Sequence, residues 1–358
     1  MSGLNMEPKS LSPVLTRLGG GSWDDNVLAA SWSADSRALA LAFYDGRVEL
    51  LSQDSNWQAR LLATHGGPAA CLAMHPKASL VASGGDDGFV HLIDWSQEGT
   101  DILLNLSSER LQDDWLQDLV WSADGKHLAA ACGSRVFVID TEGRILQSWS
   151  DFPSTVHSLA WHPGGSLLLV ASDGGLSQLK PGDVDVYPSF PTDSAAIALS
   201  ISPQADFLVS GNLDATMNVW AVGDEEPYRM QGYRGKPRNF AWSRYPASPP
   251  QLAVAAGTES IILWNFERGA PDGQAPQQLL GHDGAVRSLS FLQKKPWLLS
   301  CGEDGRLIIW QETRGWKKGT IDQPGGAFAG MRVSPDERYV AAWTRDARLY
   351  LYALMGSR

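Results

Sequence analysis

The chain has 358 residues, among them 36 Gly, 20 Pro and 15 Trp, with 43% hydrophobic and only 19% charged side chains. Forty acidic against 29 basic residues give a formal net charge of −11, which repels a phosphate backbone, and the densest basic stretches are the doublets Lys294-Lys295 and Lys317-Lys318. No stretch approaches the roughly 18 apolar residues of a membrane span, and the N-terminus lacks the apolar core of a secretory signal, so neither nucleic acid nor membrane is expected as a partner and a cytoplasmic location is.

Three cysteines, Cys71, Cys132 and Cys301, are too far apart for a zinc knuckle or a CxxC pair, and their odd number argues against a disulfide framework. One pattern then recurs along nearly the whole chain. A short strand ending in an apolar residue is followed by a polar turn, an apolar strand, a second turn and a further strand. The strand-end positions are Trp32, Met74, Trp121, Trp161, Ile201, Trp242, Phe291 and Val333, separated by 42, 47, 40, 40, 41, 49 and 42 residues. Second strands such as LVASGGDDG (80–88) and LLSCGEDG (298–305) end in Asp-Gly turns that close tight hairpins. Third strands follow at once, as in VHLIDW (90–95) and LIIWQ (307–311), and a weaker strand such as ILLNLS (102–107) separates one repeat from the next.

Four strands at a period of roughly 40–45 residues make one propeller blade, and the pattern occurs eight times. The expected blades lie near 26–65, 68–107, 116–150, 156–190, 196–231, 236–282, 285–322 and 326–354. The eighth repeat supplies three strands only, so residues 13–18 are expected to pair beside 349–354 and close the ring, after a flexible segment 1–12. The fold class is therefore all-β: one domain, 13–358, a closed β-propeller of eight four-stranded blades, with seven blades as the alternative.

On these residues the chain resembles the WD-repeat (WD40) β-propellers. Repeat seven carries the motif most fully, with Gly281-His282, Ser300, Asp304 and Trp310. The resemblance implies that His282, Ser300, Asp304 and Trp310 form a hydrogen-bonded tetrad inside one blade, a structural role. Repeat two keeps His65, Ser83 and Asp87 but has Ile93 at the tryptophan position. Repeat five keeps Ser210, Asp214 and Trp220. More narrowly, WLQDLVWS (115–122) and GYRGKPRNFAWS (232–243) are similar to stand-alone bacterial WD-repeat proteins encoded beside metal-chaperone GTPases.

Catalytic motifs are missing: there is no Gly-x-Ser-x-Gly, no Walker A loop and no Gly-x-Gly-x-x-Gly opening a helix. None of the seven histidines forms an HxH or HExxH pair, so no metal and no cofactor is expected. Aromatic residues beside carboxylates in the loops before first strands are a different matter. Trp23-Asp24-Asp25 precedes blade one and Asp113-Asp114-Trp115 precedes blade three. They would flank blade two, whose loops on the same top face carry His65 and Asp86. Buried rings and paired carboxylates are the chemistry of protein interfaces. Tyr233-Arg234-Gly235-Lys236, before blade six, is the one basic loop on that face.

The expected function is a non-catalytic scaffold that binds another protein through Trp23, Asp24, Asp25, His65, Asp86, Asp113, Asp114, Trp115, Tyr233, Arg234 and Lys236. One alternative is an accessory role in zinc or cobalt homeostasis by docking onto a metal-chaperone GTPase. The other is a propeller enzyme that uses the central channel.

Overall fold

Runs of five or six apolar residues closed by Asp-Gly or Ser-x-Asp turns are too short for helices and well suited to pleated strands. The computed structural model describes residues 3–4, 9–10, 14–97, 101–107, 115–150, 152–224, 226–243, 250–266, 269, 271, 273–312 and 315–354. Among these residues every regular element is a β-strand, and the strands form eight sheets of the β-propeller type. Seven sheets have four strands in chain order; eight sheets leave no room for the seven-bladed alternative.

The eighth sheet is built from both ends of the chain. Phe328–Val333, Tyr339–Thr344 and Arg348–Leu354 supply three strands, and Leu15–Ser22 adds the fourth, with Leu15 opposite Leu354 and Ser22 opposite Arg348. This strand starts later and runs further than the expected 13–18, and Pro13 lies outside the described residues. Within the segment expected to be flexible, Lys9–Ser10 form a two-residue fifth strand opposite Arg17 and Thr16.

Two compact units make up the chain: Asp25–Leu199, with blades 1 to 4, and Ser2–Asp24 with Ser200–Arg358, with blades 5 to 8. The first strand of blade 5, Ala196–Ile201, runs across the division. Within each unit the same burial logic repeats. Second strands such as Ala38–Phe43 and Leu128–Cys132 are buried at every position; Leu128–Cys132 is covered by blade 2 on one face and blade 4 on the other. Fourth strands such as Asp101–Asn105 are mostly exposed. Cys71, in the first strand of blade 2, and Cys132 and Cys301, in second strands, are buried thiols, and burial pushes the Cys301 pKa up.

Two of the repeated tryptophans show what the strand-end position does. Trp121 of blade 3 donates its indole N–H to the Ala73 carbonyl of blade 2 at 3.2 Å, and Trp161 of blade 4 donates to Val120 of blade 3 at 3.0 Å. The ring fills the seam between blades while its one polar atom satisfies a carbonyl of the neighbouring first strand. Trp57 and Trp316 are buried too. Trp57 stands edge-on to Trp32 with centroids 5.9 Å apart, and Trp316 donates to Gln251 Oε1 at 3.2 Å.

A buried polar clasp fastens the N-terminal strand. Arg17 Nε donates to Asp322 Oδ2 at 3.1 Å, Tyr352 OH donates to the same oxygen at 2.9 Å, and the guanidinium lies 5.1 Å from the Tyr350 ring centroid. Asp322 ends the fourth strand of blade 7, so the clasp ties the strand to blades 7 and 8 together. A buried carboxylate needs this cation, since removing one partner leaves the other charge uncompensated.

Candidate functional site

Blade 7 brings His282, Ser300, Asp304 and Trp310 together. Trp310 Nε1 donates to Ser300 Oγ at 2.8 Å, Ser300 Oγ lies 2.7 Å from His282 Nε2, and His282 Nδ1 lies 3.0 Å from Asp304. An indole N–H can only donate, so the Ser300 hydroxyl hydrogen is left for His282 Nε2 and the imidazole proton sits on Nδ1, facing the carboxylate. Burial lowers the His282 pKa, which the Asp304 carboxylate only partly opposes, so the ring is neutral. Burial raises the Asp304 pKa, but the N–H groups of Asp283 and Arg306 and the His282 ring outweigh it and hold the carboxyl below its usual range. Ser300 has no exposed surface. The order of Ser, His and Asp is that of a hydrolase triad, yet the hydroxyl is sealed inside the blade and committed to two partners.

Blade 2 repeats the first three members. His65 Nε2 lies 3.0 Å from Ser83 Oγ and Nδ1 lies 3.1 Å from Asp87, which also accepts the Gly66 N–H at 2.7 Å. Ile93 takes the place of the tryptophan. In the cross-strand register His91 faces Ser83 just as Ile308 faces Ser300 in blade 7. The His91 ring meets His65 edge-on at 4.5 Å, and its Nδ1 bonds Asp101 at 2.7 Å. His65 is thus an interior residue and offers no surface to a partner, which corrects its assignment to the interface. In blade 5 the serine turns elsewhere: Ser210 donates to Asn212, whose amide donates to Thr216 and Asn218.

The other expected site residues that the structure describes lie in a second-to-third-strand turn, as Asp86 does, or in loops that enter first strands. Trp23 is 7% exposed, its N–H donates to the Ala347 carbonyl, and its ring packs over Gly21. It is a core residue of its unit, held between Gly21 and the Ala347 carbonyl, and not a free interface ring. Asp24 is exposed, as is Asp86, and neither carboxylate makes a hydrogen bond or ion pair among the described residues. Asp25 accepts the Asn26 N–H at 2.7 Å. Trp115 is half-buried, and the next residue, Leu116, packs against Gly84 of blade 2. Asp113 and Asp114 lie outside the described residues.

In the second unit Tyr233 is half-buried, its OH accepting the Trp264 indole N–H at 2.8 Å and donating to Met217 Sδ at 3.7 Å; burial pushes its pKa up. Arg234 and Lys236 are exposed. A cavity of about 240 Å³ opens beside them, lined by Tyr233, Arg234, Thr258, Ser260 and Trp264. The reading from residues missed this cavity and missed Arg238, because no local pattern reveals that a loop leaves a gap against the next blade. The signal available was the alternation of cations at 234, 236 and 238. Among the described residues no group of three or more His, Cys, Asp or Glu is arranged to hold a metal ion.

Comparison with known proteins agrees with this architecture. The WD40 description "WD domain, G-beta repeat" matches residues 57–94, 143–177 and 273–311. WD repeat-containing protein 1 of Bos taurus is 24% identical over 182 residues, 48% of this chain and 28% of that protein. Protein transport protein SEC31 of Chaetomium globosum is 31% identical over 160 residues, 43% of this chain and 12% of that one. The chain thus spans less than a third of the length of either relative. A chain from a crystal structure of the mitotic checkpoint complex shares the fold with a TM-score of 0.65 at 18% identity, covering 99% of this chain and 93% of that one.

Proposed function

Since the chain carries WD40 repeats, we propose that it acts without catalysis, as a platform that binds another protein through the loop ends of its blades. WD40 propellers typically serve as protein-interaction scaffolds, and the relatives' names belong to assemblies as different as protein transport and the mitotic checkpoint complex. The observation that carries the reading is where the polar groups go. The two Ser–His–Asp groups are sealed inside blades 2 and 7 and used up in their own hydrogen bonds. Of the expected site residues, the charged ones that make no side-chain hydrogen bond or ion pair among the described residues, Asp24, Asp86, Arg234 and Lys236, are all exposed in loops. Unpaired surface charges steer association and select partners.

Affinity purification of the full chain from native extract, followed by mass spectrometry, tests this. Wild type is expected to retain a stoichiometric protein, and Asp24→Lys/Asp86→Lys to capture it on the order of tenfold more slowly at low salt, as reversed rim charges do. Equal capture by wild type and the variant would overturn the assignment of these carboxylates. Failure of wild type to retain any protein would overturn the platform itself.

A further inference from the structure

Among the described residues, each arginine guanidinium bonds a carboxylate or a carbonyl, with two exceptions, Arg234 and Arg238. They share one short loop with Lys236, which is also unpaired, and all three are exposed. In a chain of net charge −11, such a concentration of uncompensated cations is the exception. Packing holds the loop in place. A Cβ on Gly235 would lie 2.1 Å from the Ala256 carbonyl oxygen, and one on Gly211 would lie 1.8 Å from that of Pro237, so glycine is needed at both close approaches. The cations alternate with these packed positions and point away from them into solvent.

Beside this edge lies the cavity of about 240 Å³, with the Trp264 ring and the Tyr233 phenol fixed to each other and the hydroxyls of Thr258 and Ser260 along its wall. It is smaller than the roughly 300–1,000 Å³ of pockets that enclose whole ligands, and suits one inserted side chain. Glu259 also lines it, while the loop itself, residues 231–238, carries three cations and no carboxylate. A long polyanion would be repelled by the rest of the chain, whereas a short acidic segment meets only the local excess.

We infer that this loop and cavity form a binding site for an acidic peptide segment of a partner protein, its carboxylates on Arg234, Lys236 and Arg238 and one apolar or aromatic side chain in the cavity. The inference rests on the platform reading and names the partner's chemistry at one site. The walls are preformed, so little ordering opposes binding.

The test pans a random dodecapeptide phage library on the immobilised full chain, then measures the selected peptides, fluorescein-labelled, by anisotropy. The selected pool is expected to be rich in Asp and Glu next to an aromatic or aliphatic residue, and to bind more weakly as salt rises. Arg234→Ala/Lys236→Ala/Arg238→Ala should bind it at least about tenfold more weakly with an unchanged melting temperature, since these side chains are exposed, while Lys317→Ala/Lys318→Ala binds as wild type. A neutral or basic pool, no enrichment at all, equal binding by the triple variant, or displacement by a single-stranded RNA oligonucleotide that binds more tightly would overturn the site. Should the triple variant still retain the protein captured from extract while its peptides fail, the acidic-peptide site falls and the platform reading stands.

Discussion

Blades 7 and 2 hold the same histidine, serine and aspartate in the same places, yet they complete the network differently. In blade 7 the serine oxygen links an indole donor to the imidazole, and Ile308 lies beside it in the core. In blade 2 Ile93 replaces the indole, and His91 brings a second imidazole and Asp101 to the place of Ile308. The fold is the same in both. What holds a blade is therefore its buried apolar strands and its seams with neighbours, with polar networks tuning stability on top.

Removing the serine hydroxyl separates the two blades most strongly. Ser300→Ala strands both the Trp310 N–H and His282 Nε2, and Ser83→Ala strands His65 Nε2 alone. A buried polar atom without a partner costs about 1–3 kcal/mol, so Ser300→Ala should cost roughly twice as much as Ser83→Ala in chemical unfolding. Equal losses would mean that the indole bond carries no weight.

Acidification acts on both blades. His65 and His282 have pKa values lowered by burial, so as the pH falls below 6.5 the unfolded chain takes up protons that the folded chain does not, and stability drops. Asp87 and Asp304 have lowered values despite burial, because N–H donors and the histidines outweigh it, so a second loss sets in below 3.8 as these carboxyls protonate. Each unit of lowering is worth about 1.4 kcal/mol. Unfolding free energy followed between pH 7.5 and 5 should fall, and His282→Gln should flatten part of that slope; a slope left untouched by the substitution would exclude His282 as its source.

The smallest change is expected from converting one blade into the other. Ile93→Trp alone overfills blade 2 beside the His91 ring and should cost about 1–3 kcal/mol. His91→Ile/Ile93→Trp reproduces the residues of blade 7, where an isoleucine faces the serine and an indole donates to it, and should recover part of that loss. A double variant no better than the single one would show that the two networks need more than these positions.

The blade count and strand order were legible because the period of the strand-end residues and the Asp-Gly turns report directly on backbone geometry. The same period aligns His282, Ser300, Asp304 and Trp310 on one blade. Exposure was not legible. Trp23 looked available because the repeat demands no aromatic there, but its ring packs over Gly21 and is buried. His65 sits in a loop-like stretch of sequence and inside the blade in space. The cavity beside Arg234 depends on how one loop rests on the next blade, through close approaches at Gly211 and Gly235 that no local sequence rule encodes.

The claim at the centre of this account is that the Ser–His–Asp groups are framework and chemistry has no access to them. Incubation of the folded full chain with a fluorophosphonate, followed by intact-mass and peptide mass spectrometry, addresses it directly. With Ser83 and Ser300 fully buried, neither should be labelled under native conditions. A stoichiometric phosphonyl adduct on Ser300 or Ser83 would show a reachable, activated nucleophile and would contradict the account.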